Sequence, residues 1–250
     1  MLSFSELLSQ ESGVVHGFST REGGCSVGHL SSLNLKFGLE SAEVTRLNWG
    51  RLESTIGPTL LPSGIATVNQ VHGNAVVEAL GVVDAMTPIA DADAMFTTQR
   101  GLGLAVFTAD CVPVLLSGGG VVAAVHAGWR GTAKGIVQAC LVAIKKATGV
   151  DAGSLVASIG PAIGPCCYEV SEDVVGALGS LVDESLIVSA NERGGTNVDL
   201  PLANELQLRQ AGVGRVERLS VCTLCGGKHF SYRGDGGITG RQISVIGLSV

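Results

Sequence analysis

The stretch from Leu102 to Val125 is the most apolar part of the chain, and it cannot be a single element. Asp110, Pro113 and the triplet Gly118-Gly119-Gly120 interrupt it. No uncharged apolar run of the 18 or so residues that a membrane helix needs fits there. What remains is three short segments, 102–107, 112–116 and 121–126, rich in branched aliphatics and bounded by Gly, Asp or Pro. Such pieces read as strands. Hydrophobic residues make up 46% of the chain but aromatics only 4%, so Val, Leu, Ile and Ala supply the apolar surface. That composition suits strands covered on both faces by helices.

Further strands are expected at 65–68, 75–80, 155–159, 215–219 and 242–248. Thr132 can cap a helix over 133–148, in which Ile136, Val137, Cys140, Leu141 and Ile144 repeat at three and four residues and Gly149 is the stop. A second helix is expected at 201–211, with Pro201 near its first turn and Gly212 just beyond. Weaker patterns occur at 172–181 and 43–52, and the turn-rich region 50–64 reads as irregular. Strands and helices mingle without strict alternation and no repeat or linker is evident. The expected fold is therefore a single-domain mixed-sheet α/β sandwich spanning 1–250. Glycine, 36 of 250 residues, is about twice its usual share and signals many tight turns.

The formal charge is −6, and no Lys/Arg run is longer than Lys145-Lys146. This lacks the footprint of a nucleic-acid binder, although a few arginines in a cleft are enough for a small anion. The N-terminus carries Glu6 and no basic segment, so it does not read as a signal peptide. A soluble cytoplasmic protein is expected. Seven cysteines are an odd number in a chain of this size and argue against a disulfide framework.

Three residues carry the chemistry. His72 in NQVHGN, Cys111 in TADC and His126 in VHAGW each stand beside turn-forming or small residues. Two imidazoles and a thiol suit a borderline-soft divalent ion, and three protein ligands leave one position open, as in catalytic zinc. Cys111 is equally open to a thiolate nucleophile paired with His72 or His126, as in cysteine hydrolases. Asp110 is a candidate proton carrier or an orienter of a ligand histidine. Arg130 beside the expected helix start, and Arg21 in STREGG, are candidates for holding phosphate; Asn34 is a candidate for base or ribose. A single copper held by two histidines and Cys111, with Met86 or Met95 axial, is the alternative metal site. A non-catalytic zinc-dependent binding module is a further alternative. Cys222-Thr-Leu-Cys225 is one CxxC, with His229 nearby as a possible partner in a small structural site.

Read together, HGFSTREGGCSVGHLSSLNL (16–35), NQVHGN (69–74), DADAMFTTQRGLGLAVFTADCVPVLL (91–116), VAAVHAGWRGTAKGIV (122–137), IGPAIGPCCYEV (159–170) and FSYRGDGGITGRQISVIGL (230–248) resemble a known family. It comprises the purine nucleoside phosphorylases formerly labelled polyphenol oxidoreductases, or laccase-domain proteins. The resemblance implies that His72, Cys111 and His126 bind a catalytic zinc in a cytoplasmic enzyme. It implies phosphorolysis of adenosine, inosine, guanosine and S-methyl-5'-thioadenosine, and hydrolytic deamination of adenosine; for the latter, the expected nucleophile is water that the ion acidifies. It also implies a fold distantly similar to bacterial toxins with a Cys-His deamidase site. The Glu-containing HxE…PCxxC signature of zinc deaminases is absent. Gly234 stands where the family usually has Arg or Lys, and Cys225 with Gly226-Gly227 looks local to this chain. A multicopper centre uses many more imidazoles than the five histidines present. Monomer and dimer both remain open.

Overall fold

A computed structural model describes residues 1–57, 61–82 and 87–250. The strands are β1 (Leu2–Ser3), β2 (Val14–Ser19), β3 (Ile65–Thr67), β4 (Val76–Glu78), β5 (Ala94–Thr97), β6 (Gly103–Thr108), β7 (Val112–Gly118), β8 (Val121–Ala127), β9 (Val156–Ile159), β10 (Glu169–Val170), β11 (Val188–Ala190), β12 (Thr196–Val198), β13 (Arg215–Arg218) and β14 (Gln242–Leu248). The helices are α1 (Glu6–Ser9), α2 (Ala42–Ile56), α3 (Trp129–Ala133), α4 (Ile136–Thr148), α5 (Glu172–Gly179), α6 (Glu184–Ile187) and α7 (Leu200–Gln210).

Two large mixed sheets dominate. One runs β1-β2-β14-β6-β3 and the other β13-β9-β7-β8-β5-β4, while β10-β12-β11 form a third, smaller sheet. The pairs β3–β6, β4–β5 and β9–β13 are parallel and the remaining neighbours antiparallel. Period-two alternation places each strand's side chains in two layers. In β7 and β8, Val112, Val114, Leu116, Val121, Ala123 and Val125 meet α4 and α7 in one core. Leu115, Val122 and Ala124 point the other way, onto Phe18, Leu104, Val106 and Ile246 of the five-stranded sheet. On that sheet's far face, Ala105, Phe107, Ile243 and Val245 pack against Trp49 and Leu52 of α2. The result is an α/β sandwich of four layers: helix, sheet, sheet, helix. Both sheets are buried on both faces, but helices cover only one face of each; the other is covered by its partner sheet.

The apolar stripe of α4 is buried as the spacing predicts, at Ile136, Val137, Cys140, Leu141 and Ile144. Gly149 ends the helix at φ +77°. The expected start at Thr132 is corrected. The helix is broken into α3 and α4 by Gly135 in the left-handed region (φ +70°), a conformation open to glycine without penalty. Gly128 occupies the cap position, and Thr132 lies inside α3, where its hydroxyl accepts a hydrogen bond from Asn204 Nδ2 at 3.0 Å. In the region expected to be irregular, α2 continues to Ile56, is stopped by Gly57 (φ +98°), and 58–60 lie outside the described residues. Strands β2 and β5, not anticipated, add to the two large sheets.

Burying a leucine contributes about 1.5–3 kcal/mol, and Leu115 is fully buried between the sheets. Leu115→Ala is expected to lower the unfolding free energy by about 2–5 kcal/mol, read as a lower urea midpoint. A loss below about 1 kcal/mol would mean that the inter-sheet layer is not close-packed.

Candidate metal centre

The centre is built around a carboxylate that the sequence pattern did not single out. Asp93, fully buried just before β5, accepts hydrogen bonds from the backbone N–H groups of Val71 (3.3 Å), His72 (3.0 Å) and Gly73 (2.6 Å). These wrap the β3–β4 loop around it, with His72 at φ +57°. Gln70 ties the same loop to β6, its amide donating to Phe107 O and accepting from Phe107 N, both at 2.8 Å. Asp93 also faces His126 Nδ1 at 2.8 Å, and His126 N donates to Asp93 O at 2.7 Å. The proton is thereby assigned to Nδ1, leaving Nε2 as the ligand atom. Burial works against the Asp93 charge, but the hydrogen bonds from His126 and Gly73 outweigh it and hold the carboxyl below the usual range.

Cys111 reaches the same point from the turn between β6 and β7. Its Sγ lies 4.0 Å from His72 Nε2. The His72 and His126 rings are perpendicular, with centroids 4.9 Å apart. All three ligand atoms fall within 4.8 Å of one another. Bonds of about 2.0–2.3 Å around a tetrahedral ion imply edges of roughly 3.3–3.6 Å, so a contraction of at most roughly 1.5 Å closes the set. A Cβ on Gly128 would sit 3.0 Å from His72 Cδ2 and 3.1 Å from Cys111 Sγ, so a larger residue there would press on both ligands. His72 is exposed, Cys111 half-buried and His126 buried, so the trio faces outward on one side. Burial disfavours the Cys111 thiolate, yet the charge and hydrogen bonds of His126 and His72 prevail and bring its pKa to about 6. For His126, burial is overcome by the Cys111 thiolate and by Asp93, raising it to about 9.

These ligands line a cavity of about 600 Å³. Although the chain is acidic overall, Lys36, Arg130, Arg233 and Arg241 line this cavity and Asp110 is its one acidic wall residue among the described residues. The pKa of Lys36 is depressed by burial and by the charge of Arg241. Phe107, Trp129, Tyr168 and Tyr232 provide aromatic wall. Arg130 lies over the Trp129 ring at 4.3 Å, and no ion pair holds it among the described residues.

Several expectations are corrected by this geometry. Asp110 does not orient a histidine; its carboxylate accepts from Thr223 Oγ1 at 2.6 Å and from Arg233 N at 2.7 Å. Asn34 is fully buried and does not reach the cavity, its amide being taken up by Lys36, Glu40 and Arg241 N. Arg21 is likewise outside the wall. Its guanidinium donates to Ser31 O, stacks on Phe230 at 4.7 Å and approaches Asp235 at 3.7 Å. Met95 is buried between the sheets, which removes it as an axial copper ligand, and Met86 lies outside the described residues. His229 is buried and is not part of a ligand cluster with the cysteines. Of the five histidines only His72 and His126 line the cavity. Lys36, Arg233 and Arg241 were missed because they gather from two loops far apart in the chain, one before α2 and one between β13 and β14. The one signal for Asp93 was an acid directly before an apolar strand.

Residues 15–249 match the family described as multi-copper polyphenol oxidoreductase laccase. The chain belongs to that family. It is 37% identical over 243 residues to a purine nucleoside phosphorylase of Deinococcus radiodurans, covering 94% of this chain and 89% of the relative. It is 36% identical to the purine nucleoside phosphorylase YlmD of Geobacillus stearothermophilus over 250 residues, with 94% and 90% covered. The crystal structure of YlmD superposes with a TM-score of 0.88 at 33% identity, covering 95% of this chain and 92% of that one. A Neisseria meningitidis protein gives a TM-score of 0.86 at 34% identity, with 100% and 99% covered. Among the described residues of this family member no helix is long and apolar enough to cross a membrane.

Asp93→Asn is expected to weaken metal binding at the trio about 10- to 100-fold, measured by competition with a chromophoric chelator; unchanged affinity would show that Asp93 does not position His126. In chelator-treated protein, alkylation of Cys111 mapped by mass spectrometry is expected to follow a midpoint near pH 6, because the thiolate persists above that pH. An ordinary thiol titrates near about 8.5, and a midpoint there would remove the charge coupling to His126.

Proposed function

We propose that the protein is a zinc-dependent purine nucleoside phosphorylase that also deaminates adenosine. The observation that carries this reading is an open three-ligand set at the wall of a cationic, aromatic-lined cavity, in a chain whose relatives bear the phosphorylase name. The donor set of two imidazoles and one thiolate fits zinc. When bound, zinc supplies Lewis acidity and brings the pKa of water down to about 7.

The chain's own residues do the rest. Asp93 fixes the Nδ1–H tautomer of His126, so that Nε2 is presented to the ion. Arg130, Arg233 and Arg241 hold phosphate, whose charge they match with fork-shaped donors. Among the described residues the guanidinium of Arg130 rests on the Trp129 face with no ion pair, leaving its N–H groups for the anion. Aromatic faces at Phe107, Trp129 or Tyr168 stack the purine. In phosphorolysis, a phosphate oxygen forms a bond to the sugar's anomeric carbon while the carbon–nitrogen bond to the purine breaks. The purine departs with the electron pair and takes up a proton. In deamination, water adds at the amine-bearing carbon and ammonia leaves. Asp110, with both oxygens engaged by Thr223 and Arg233, is an anchor for the wall in this scheme rather than a proton carrier. Adenosine, inosine, guanosine and S-methyl-5'-thioadenosine are the proposed substrates, in a cytoplasmic setting.

One observation favours a second reading. Cys111, His126 and Asp93 stand in the order nucleophile, base and orienter, and the thiolate is stabilised. A chelator separates the two: activity lost on chelation and restored by zinc supports the metal enzyme, and chelator-resistant turnover supports the cysteine hydrolase.

Incubation with adenosine and phosphate is expected to release adenine with sugar 1-phosphate, and inosine with ammonia. His126→Ala is expected to lose one equivalent of zinc and at least about 100-fold in turnover, by the magnitude of losing a metal-ion contribution. Retained zinc with full adenosine turnover would reject the assignment. Arg130→Ala is expected to raise the KM for phosphate roughly 10-fold, the loss of a charge-assisted hydrogen bond, with less effect on deamination.

A further inference from the structure

Four cysteines outside this cavity converge. Cys166, Cys167, Cys222 and Cys225 come from two segments of the chain, yet their Sγ atoms all lie within 4.8 Å of one another. All four are free, and Cys166 Sγ and Cys225 Sγ are 3.5 Å apart. Two tight turns present them. In the first, the N–H groups of Cys167 and Tyr168 both donate to Gly164 O at 3.0 Å. In the second, Gly226 N donates to Cys222 O at 3.0 Å. A parallel bridge at Ala162 and Cys222 joins the segments, with Thr223 N donating to Ala162 O at 2.9 Å.

The turns are shaped around the sulfurs. Gly164 N donates to Cys222 Sγ at 3.3 Å, the kind of N–H contact that stabilises a thiolate. A Cβ on Gly226 would lie 2.4 Å from Cys222 O, and one on Gly164 would lie 3.4 Å from Cys166 Sγ. Glycine is thus required for the second turn and allows close approach in the first. Neighbours 166 and 167 are poorly placed to bridge each other, because a disulfide between adjacent residues is strained. Four sulfurs around a tetrahedral zinc, with bonds of about 2.3 Å, stand roughly 3.8 Å apart, close to the arrangement present.

We propose that Cys166, Cys167, Cys222 and Cys225 form a closed tetrathiolate zinc site, separate from the open site at His72, Cys111 and His126. Its role is structural. The CxxC of the second turn lacked a partner in sequence because the other two ligands are 55 or more residues earlier and meet it only in the fold. On zinc binding the four thiols lose their protons and four sulfur–metal bonds form. The consequence for the cavity follows from what hangs on these turns. Thr223, inside the CxxC, holds Asp110, and Ile163 N donates to Asp110 O at 2.9 Å. Tyr168, next to Cys167, lines the cavity. The zinc therefore pins two irregular segments that make one wall of the site.

Metal counting tests this without reference to activity. The native protein is expected to carry two zinc ions per chain. The double variant Cys111→Ser, His126→Ala disables the open site and is expected to keep one. Adding Cys225→Ser, an exposed position, is expected to lose it, while Cys225→His is expected to restore it, since three cysteines and a histidine also hold zinc. With cobalt in place of zinc, the double variant is expected to show the intense visible bands of tetrahedral thiolate coordination. No zinc in the double variant overturns the proposal, as does iron in its place. A mass four hydrogens lighter than the reduced chain would replace the site by two disulfides.

Discussion

Asp93 is the point on which the functional half of the molecule depends. A carboxylate with no solvent access needs partners, and this one takes three successive backbone N–H groups and an imidazole. The same atoms thereby shape the His72 loop and fix the His126 ring. One buried charge positions two ligands that are 54 residues apart. Cys111 needs no such device, because the turn through Asp110 (φ +94°) delivers it at the head of β7. The two sheets supply rigidity, since β7 and β8 are paired along their length and buried on both faces.

Net charge and local charge point in opposite directions here. The chain carries −6 overall, yet the cavity wall gathers Lys36, Arg130, Arg233 and Arg241 against Asp110. A small anion responds to the field in the cleft, which low-dielectric walls focus, more than to the distant surface. The aromatic rings beside these cations give a flat, apolar partner for a base. A nucleoside and phosphate, the proposed substrates, have this combination of needs. The two histidines, His126 above all, favour Cys111 as a thiolate, the form that both a metal and an acyl-transfer mechanism require.

Legibility followed the range of the interactions. Short runs of branched aliphatics with breakers at their ends identified β7, β8 and β14 closely, and the stripe of α4 was read residue by residue, because both are local signals. The break at Gly135 was missed, since a glycine inside a helical pattern has no meaning until packing shows that the chain must turn there. Arg21 and Asn34 were misassigned for a related reason. Polar residues in a glycine-rich loop look available, but here they bind the loop to the 228–241 segment. Asp110 drew attention through its place beside Cys111, whereas the carboxylate that orients the histidine is Asp93, paired across β5 and β8. Apolar runs without alternation indicated that the strands are doubly covered. They could not show that the cover on one face is a second sheet.

Sequence alone determined the fold class, the strand and helix content of the apolar stretches, and the three residue types able to hold a divalent ion. Those follow from side-chain chemistry and local spacing. The tertiary structure decided that His72, Cys111 and His126 meet, that Asp93 holds the two histidines, that four cations from distant segments share one cleft, and that two cysteine pairs become one cluster. Each of these is a contact between distant segments, and its existence depends on how two sheets stack rather than on any property of the segments themselves.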